Sequence, residues 1–180
     1  MPDKSKKELL EQFLKNAEAA VATVEVILAN AISLNAALQK QITDDDAVLF
    51  SPPNDVDPNL FKDFLSSDKV ITNPDKERLK YTKTGITDAF CGIAATGSVC
   101  VHAAQNLTSA ITMLTQRHIV VLDSNTIVPK PRDVFSENYL EGKGLKRSFS
   151  FITGPSATAD MGPLVRGVHG PGKLHIIVLE

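Results

Sequence analysis

The chain has 180 residues, 43% of them hydrophobic and 22% charged, with a formal net charge of -2 and a sequence pI near 6.1. That balance fits an ordinary globular protein and gives no general attraction to nucleic acid or to an anionic membrane surface. With no Trp and two Tyr the chain is poor in base-stacking platforms, and no stretch approaches the ~20 apolar residues of a membrane span. The expectation is one soluble, cytoplasmic domain over residues 1–180, because the lysine-bearing first residues lack the apolar core of a signal peptide.

Ser5 to Asn16 reads as an amphipathic helix, with Leu9, Leu10, Phe13 and Leu14 on one face. Val21 to Ile27 is rich in β-branched residues and suits a strand, with helix the alternative because alanines flank it. A helix is expected over Ala29 to Lys40, then a short buried strand from Ala47 to Phe50. Pro58 can open a helix over Asn59 to Leu65, followed by a strand at Lys69 to Thr72. Asn73 to Tyr81 is polar and reads as an exposed connection. Alternation of strand and helix predicts an α/β fold, a mainly parallel sheet with helices on both faces.

The second half reads differently. Two apolar runs separated by Thr96-Gly97-Ser98 predict a hairpin, and Asn106 to Met113 reads as less regular. Ile119 to Leu122 is a buried strand, and Ile127 and Val128 suit another short one. Pro131 to Leu140 suits a helix, and Ser148 to Ile152 and Leu174 to Leu179 suit strands. Cys91 and Cys100 lack C-x-x-C spacing, so they read as buried reduced thiols rather than ligands of zinc or a cluster. His102, His118 and His175 lie in or near strands, where packing is their expected role.

Gly154-Pro155-Ser156-Ala157-Thr158-Ala159-Asp160-Met161 concentrates the chemistry. Pro155 suits the first position of a helix, whose free N–H groups and dipole would bind a carboxylate or phosphate. Ser156 and Asp160 would then share one helix face, beyond the carboxyl end of a strand. In the blander reading the segment is only a tight connection whose hydroxyls satisfy backbone groups. Gly167 to Gly172 could form the opposite wall, with His169 either a hydrogen-bonding loop residue or a proton donor. The hydroxyls of Thr96 and Ser98 and the Gly97 N–H could face the same pocket, or merely make the hairpin turn. Lys143, Lys146 and Arg147 form a solvated rim or draw an anion inward. No G-x-S-x-G accompanies Ser156, His169 and Asp160, and neither nucleotide-binding glycine pattern is present.

Taken together, Gly154 to Met161, Gly167 to Pro171 and the upstream Gly85 to Ser98 blocks resemble the LUD-domain family, whose best-known members are lactate-utilisation proteins of the C type. The resemblance covers residues 85 to 180. It implies a three-layer α/β/α sandwich like that of the NagB/RpiA/CoA-transferase superfamily. It also implies an accessory role in oxidising L-lactate to pyruvate, beside iron–sulfur partner proteins of the A and B types that hold the clusters, with no cofactor bound by this chain. A small anionic ligand would lie against Thr96, Gly97, Ser98, Gly154, Pro155, Ser156, Thr158, Asp160 and His169. The alternative is a free-standing enzyme or sensor for a phosphorylated or CoA-linked metabolite. Ala95 and Gly162 stand where the family often has acidic residues, and Ser98 where it often has threonine.

Overall fold

A computed structural model describes residues 5–103, 106–136, 148–160 and 162–180. Helix α1, Lys6–Ala19, starts where the sequence places it and runs three residues further. Ser5 caps it: its hydroxyl accepts from the Glu8 N–H, and the Glu8 carboxylate accepts from the Ser5 N–H at 2.8 Å. Such a reciprocal box holds two helix-start donors and contributes about 1 kcal/mol. Strand β1, Thr23–Ile27, follows, so the β-branched run is a strand. Asn30 caps α2, Ala31–Gln41, by accepting from the Ser33 N–H at 2.8 Å.

Strand β2, Val48–Phe50, leads through a 3-10 turn, Pro58–Phe61, into the single turn of α3, Lys62–Leu65, and strand β3, Val70–Ile71. The expected exposed connection at 73–81 instead contains helix α4, Lys76–Tyr81, because the Asp75 side chain accepts from the Arg78 N–H and starts a turn. Strand β4, Thr84–Asp88, precedes the predicted hairpin, which is β5, Cys91–Ile93, and β6, Ser98–His102. The segment read as irregular is helix α5, Asn106–Leu114. Its hydroxyls turn back onto carbonyls, Thr112 onto Ser109 at 2.9 Å and Ser109 onto Ala103 at 2.8 Å, so polar residues that suggest a loop remain in a helix.

Strand β7, Arg117–Asp123, and the last strand, Lys173–Leu179, are central. Between them lie β8, Phe149–Ile152, the two-residue strands β9, Ala157–Thr158, and β10, Val165–Arg166, the last strand being β11. Val128 makes an isolated bridge to Ile93 rather than a strand. The helix expected over 131–140 is a 3-10 segment at Pro131–Phe135, and its remainder lies outside the described residues, as do Lys143, Lys146 and Arg147.

Six parallel strands make the main sheet, in the order β1-β11-β7-β4-β2-β3. One face carries Val120, Leu122, Ile176 and Val178 against Leu9, Leu10 and Phe13 of α1. The other carries Phe50, Ile86, Ile119, Val121 and Ile177 against Leu34 and Leu38 of α2 and Phe61 and Phe64. Each fully buried Leu or Phe contributes roughly 1.5–3 kcal/mol. A smaller antiparallel sheet, β5-β6-β8, joins the α1 face. Strand β8 is therefore the edge of the small sheet. The architecture is the expected mainly parallel sheet flanked by helices.

Candidate functional site

The segment after β8 does not form the expected helix. Gly154 lies at φ +67, and a Cβ there would fall 2.0 Å from the Ala20 carbonyl oxygen, so only glycine fits the turn. The Ser156 N–H donates to the Pro171 carbonyl at 2.8 Å, and the Ser156 carbonyl accepts from the Gly167 N–H at 2.9 Å. Strand β9 then pairs antiparallel with β10, Val165 opposite Thr158 and Arg166 opposite Ala157. These partners explain the difference: the returning 165–171 run takes the backbone groups that a helix start would have left free. The fixed φ of Pro155 suits this extended path as well as a helix. No helix dipole faces a ligand here.

What the pairing creates is a small cavity. Loops 154–156 and 169–171 stack so closely that a Cβ on Gly170 would lie 3.3 Å from the Ser156 Cβ. Together they roof a cavity of about 240 Å³, to which Thr112 of α5 and Thr153 also contribute. Its floor is His118 and Leu174, register partners near the starts of β7 and β11. The cavity therefore lies at the amino ends of the parallel strands, not beyond their carboxyl ends as the sequence reading had it. Gly154, Pro155, Ser156 and His169 all line it. Ser156 is half-buried and His169 is exposed, which puts them toward the wet side.

Thr158 and Asp160 are not part of this lining. The Asp160 N–H donates to the Thr158 hydroxyl at 3.3 Å in a local turn, and the Asp160 side chain is exposed. The Thr96-Gly97-Ser98 turn is also one step removed. Thr96 Oγ1 lies 2.6 Å from Ser98 Oγ, which lies 2.6 Å from Thr153 Oγ1, so this hydroxyl chain meets the cavity only at Thr153. The Gly97 N–H does not face the pocket, because it donates to the Ile93 carbonyl at 2.9 Å. Gly97 sits at φ +65, and a Cβ there would be 2.0 Å from the Ala17 backbone nitrogen.

The sequence suggests only strand packing for His118, and the structure adds more. The ring is 1% exposed, and its Nε2 lies 2.9 Å from Thr87 Oγ1 on the adjoining β4. Its Nδ1 is buried and has no partner, an arrangement that costs about 1–3 kcal/mol when nothing satisfies the atom. Burial lowers the His118 pKa from 6.5 to about 3, so the ring stays neutral. The sequence signal is a histidine directly before the apolar run at 119–122. His175 faces away from the cavity, with Nδ1 2.7 Å from Thr23 Oγ1 and Nε2 3.7 Å from Glu25. His102 ends β6.

No sequence pattern marks Asp88. One oxygen of its buried carboxylate accepts the N–H groups of Asn54, Asp55 and Val56 at 2.7, 2.6 and 3.0 Å. This clasp fixes the loop after β2, and burial raises the carboxyl pKa despite the three donors. Cys91 and Cys100 are free, buried and opposite each other in the hairpin. Hydrogen bonding to Cys91 and burial push the Cys100 thiol up.

A model of the LUD domain matches residues 7–179. The chain belongs to the LUD-domain family. It is similar to lactate utilization protein C of Bacillus subtilis, at 28% identity over 108 residues, covering 58% of this chain and 45% of that one. The protein of the same name from Halalkalibacterium halodurans is 32% identical over 108 residues, covering 58% and 47%. The matched stretch thus spans about half the length of these curated relatives. Among solved structures, a DUF162 family protein of Deinococcus radiodurans superposes with a TM-score of 0.72 at 22% identity, covering 99% of this chain and 100% of that one. The shared fold reaches from the first helix of this LUD domain to its last strand. Its departures at Ala95 and Gly162 both lie outside the cavity lining. Among the described residues no helix is long and apolar enough to cross a membrane, and no cluster of three or more His, Cys, Asp or Glu could hold a metal ion.

Proposed function

We propose that this LUD domain serves lactate utilisation as a subunit without an iron–sulfur cluster, and that it binds a small carboxylic acid in the 154/169 cavity. The observation that carries the reading is the cavity itself, which gathers Ser156 and His169 over His118 and Leu174 within about 240 Å³. That volume falls below the ~300–1,000 Å³ of pockets that enclose drug-sized ligands. It suits a three-carbon hydroxy acid or keto acid and is too small for an intact CoA ester. The described lining also contains no Lys or Arg, the side chains that recognise phosphate, so a phosphorylated or CoA-linked metabolite has less support.

The name carried by the relatives supports the lactate assignment. Cys91 and Cys100 are committed to the core of the hairpin, which supports a role in which partner proteins carry the clusters. In that arrangement the two electrons released when lactate becomes pyruvate pass to iron–sulfur proteins of the A and B types. Calorimetric titration of L-lactate and pyruvate tests the binding reading. Binding by the wild-type chain, weakened about tenfold by His169→Ala, is expected; heatless titrations with both acids would sink it. In the native host, a tagged chain should co-purify with iron–sulfur proteins, and a deletion strain should grow slowly on lactate. Unimpaired growth counts against the assigned process.

A further inference from the structure

Strands β9 and β10 form a two-residue ribbon that pairs with no other described strand. Such a ribbon is marginal in water by itself and gains stability when a face of it is covered. Leu164, Val165 and Val168 on it are 64%, 42% and 51% exposed. Grouped apolar side chains of this kind, unlike scattered single ones, mark a surface that meets another protein. Between Thr153 and Val168 the only charged residues are Asp160 and Arg166, in a chain that is 22% charged overall. Depletion of charge is the compositional mark of an interface centre, and the charge that remains shows which partner fits.

Asp160 and Arg166 are both exposed, and neither makes an ion pair with a described residue. Arg166 sits at the foot of the ribbon, opposite Ala157. Asp160 lies three residues beyond Ala157, at the tip, where the Gly162 N–H turns back to the Ala159 carbonyl at 3.0 Å. At about 3.3 Å per residue the two positions are about 10 Å apart along the ribbon. A ribbon with one acid at its tip and one base at its foot is its own complement. Laid antiparallel on a copy of itself, it makes two identical ion pairs with Leu164 and Val165 between them. A partner surface of one sign would instead be attracted at one end and repelled at the other.

We propose that the 157–168 ribbon is the interface of a two-fold symmetric dimer, in which Asp160 of each copy faces Arg166 of the other. An isologous contact of this kind uses one patch twice and closes on itself. The apolar side chains supply its centre, and the ion pairs fix its register. The Gly167 N–H donates to the Ser156 carbonyl at the foot of the ribbon, so the second copy stands beside the loops that roof the 154/169 cavity.

Sedimentation equilibrium of the full chain tests the proposal. The wild-type chain should associate as a dimer. Asp160→Arg and Arg166→Asp, both at exposed positions, should each weaken dimerisation about tenfold, roughly threefold for each of the two symmetric pairs. An equimolar mixture of the two variants should recover the wild-type affinity, because every mixed pair again sets acid against base. Misfolding of either variant would not give that recovery. A monomeric wild-type chain overturns the proposal and gives the ribbon to a different protein. A dimer that both variants leave unweakened overturns it too, as does a mixture no more dimeric than its components.

Discussion

Asp88 and His118 occupy neighbouring strands of one sheet, and the fold treats them in opposite ways. Asp88, at the carboxyl end of β4, gives one oxygen to three backbone N–H groups. His118, near the amino end of β7, gives one nitrogen to Thr87 and leaves the other unpaired. A buried carboxylate oxygen that accepts three backbone N–H groups is a structural clasp. The two ends of the sheet therefore handle their buried polar groups differently.

The contrast can be broken most forcefully at the clasp. Asp88→Ala leaves three N–H groups without their acceptor and should destabilise the chain by about 3 kcal/mol in chemical denaturation. A loss below about 1 kcal/mol would mean that the 54–56 loop does not depend on it. The next effect is a pH dependence of opposite sign at the two residues. His118 has its pKa lowered from 6.5 to about 3 in the folded chain, so the unfolded chain binds the proton more readily. Its contribution is present above about 6.5 and is lost as pH falls toward about 3, at a slope on the order of 1 kcal/mol per pH unit. Asp88 is raised, so its protonation favours the fold, and stability from this group falls as pH rises through its folded pKa. Denaturation midpoints across pH should therefore flatten at the acid end in His118→Gln. In Asp88→Asn, stability should no longer decline as pH rises out of the carboxyl range. The smallest effect belongs to Ser156→Ala. Its backbone, not its hydroxyl, joins the two loops, so stability should change by less than about 0.5 kcal/mol.

Much of the frame was readable because local signals agreed with tertiary need. The Ser5 and Glu8 box, the apolar face at Leu9, Leu10 and Phe13, and the β-branched run at 23–27 all point one way. The 154–161 segment differs from its sequence expectation because Pro155 fits two backbones equally well, and the choice is made by Pro171 and Gly167, contacts that local pattern does not reveal. Helix α5 was hidden by Ser and Thr whose hydroxyls bond back onto carbonyls. Of the nine expected ligand residues, those at 154–156 and His169 converge on the cavity, since stacked glycine-rich loops bring them together. Thr158 and Asp160 turn away on a ribbon that a helix would have rotated differently. His118 stands out in the sequence only as a polar residue beside an apolar run, because an unpaired ring atom is a property of neighbours, not of a motif.

Gly97 and Gly154 both press against the last turn of α1, one on the Ala17 nitrogen and the other on the Ala20 oxygen. Two signature turns far apart along the chain are thus seated on the same few peptide units of a helix that contributes no signature residue. The motif-bearing half is consequently not a transplantable module. A fragment or chimera that begins at Gly85 would carry every recognisable residue and still lack the surface that sets the spacing between its turns. The nearest atoms that a Cβ on either glycine would meet belong to the main chain of Asn16, Ala17 and Ala20, so the path of this helix end sets where both turns can sit.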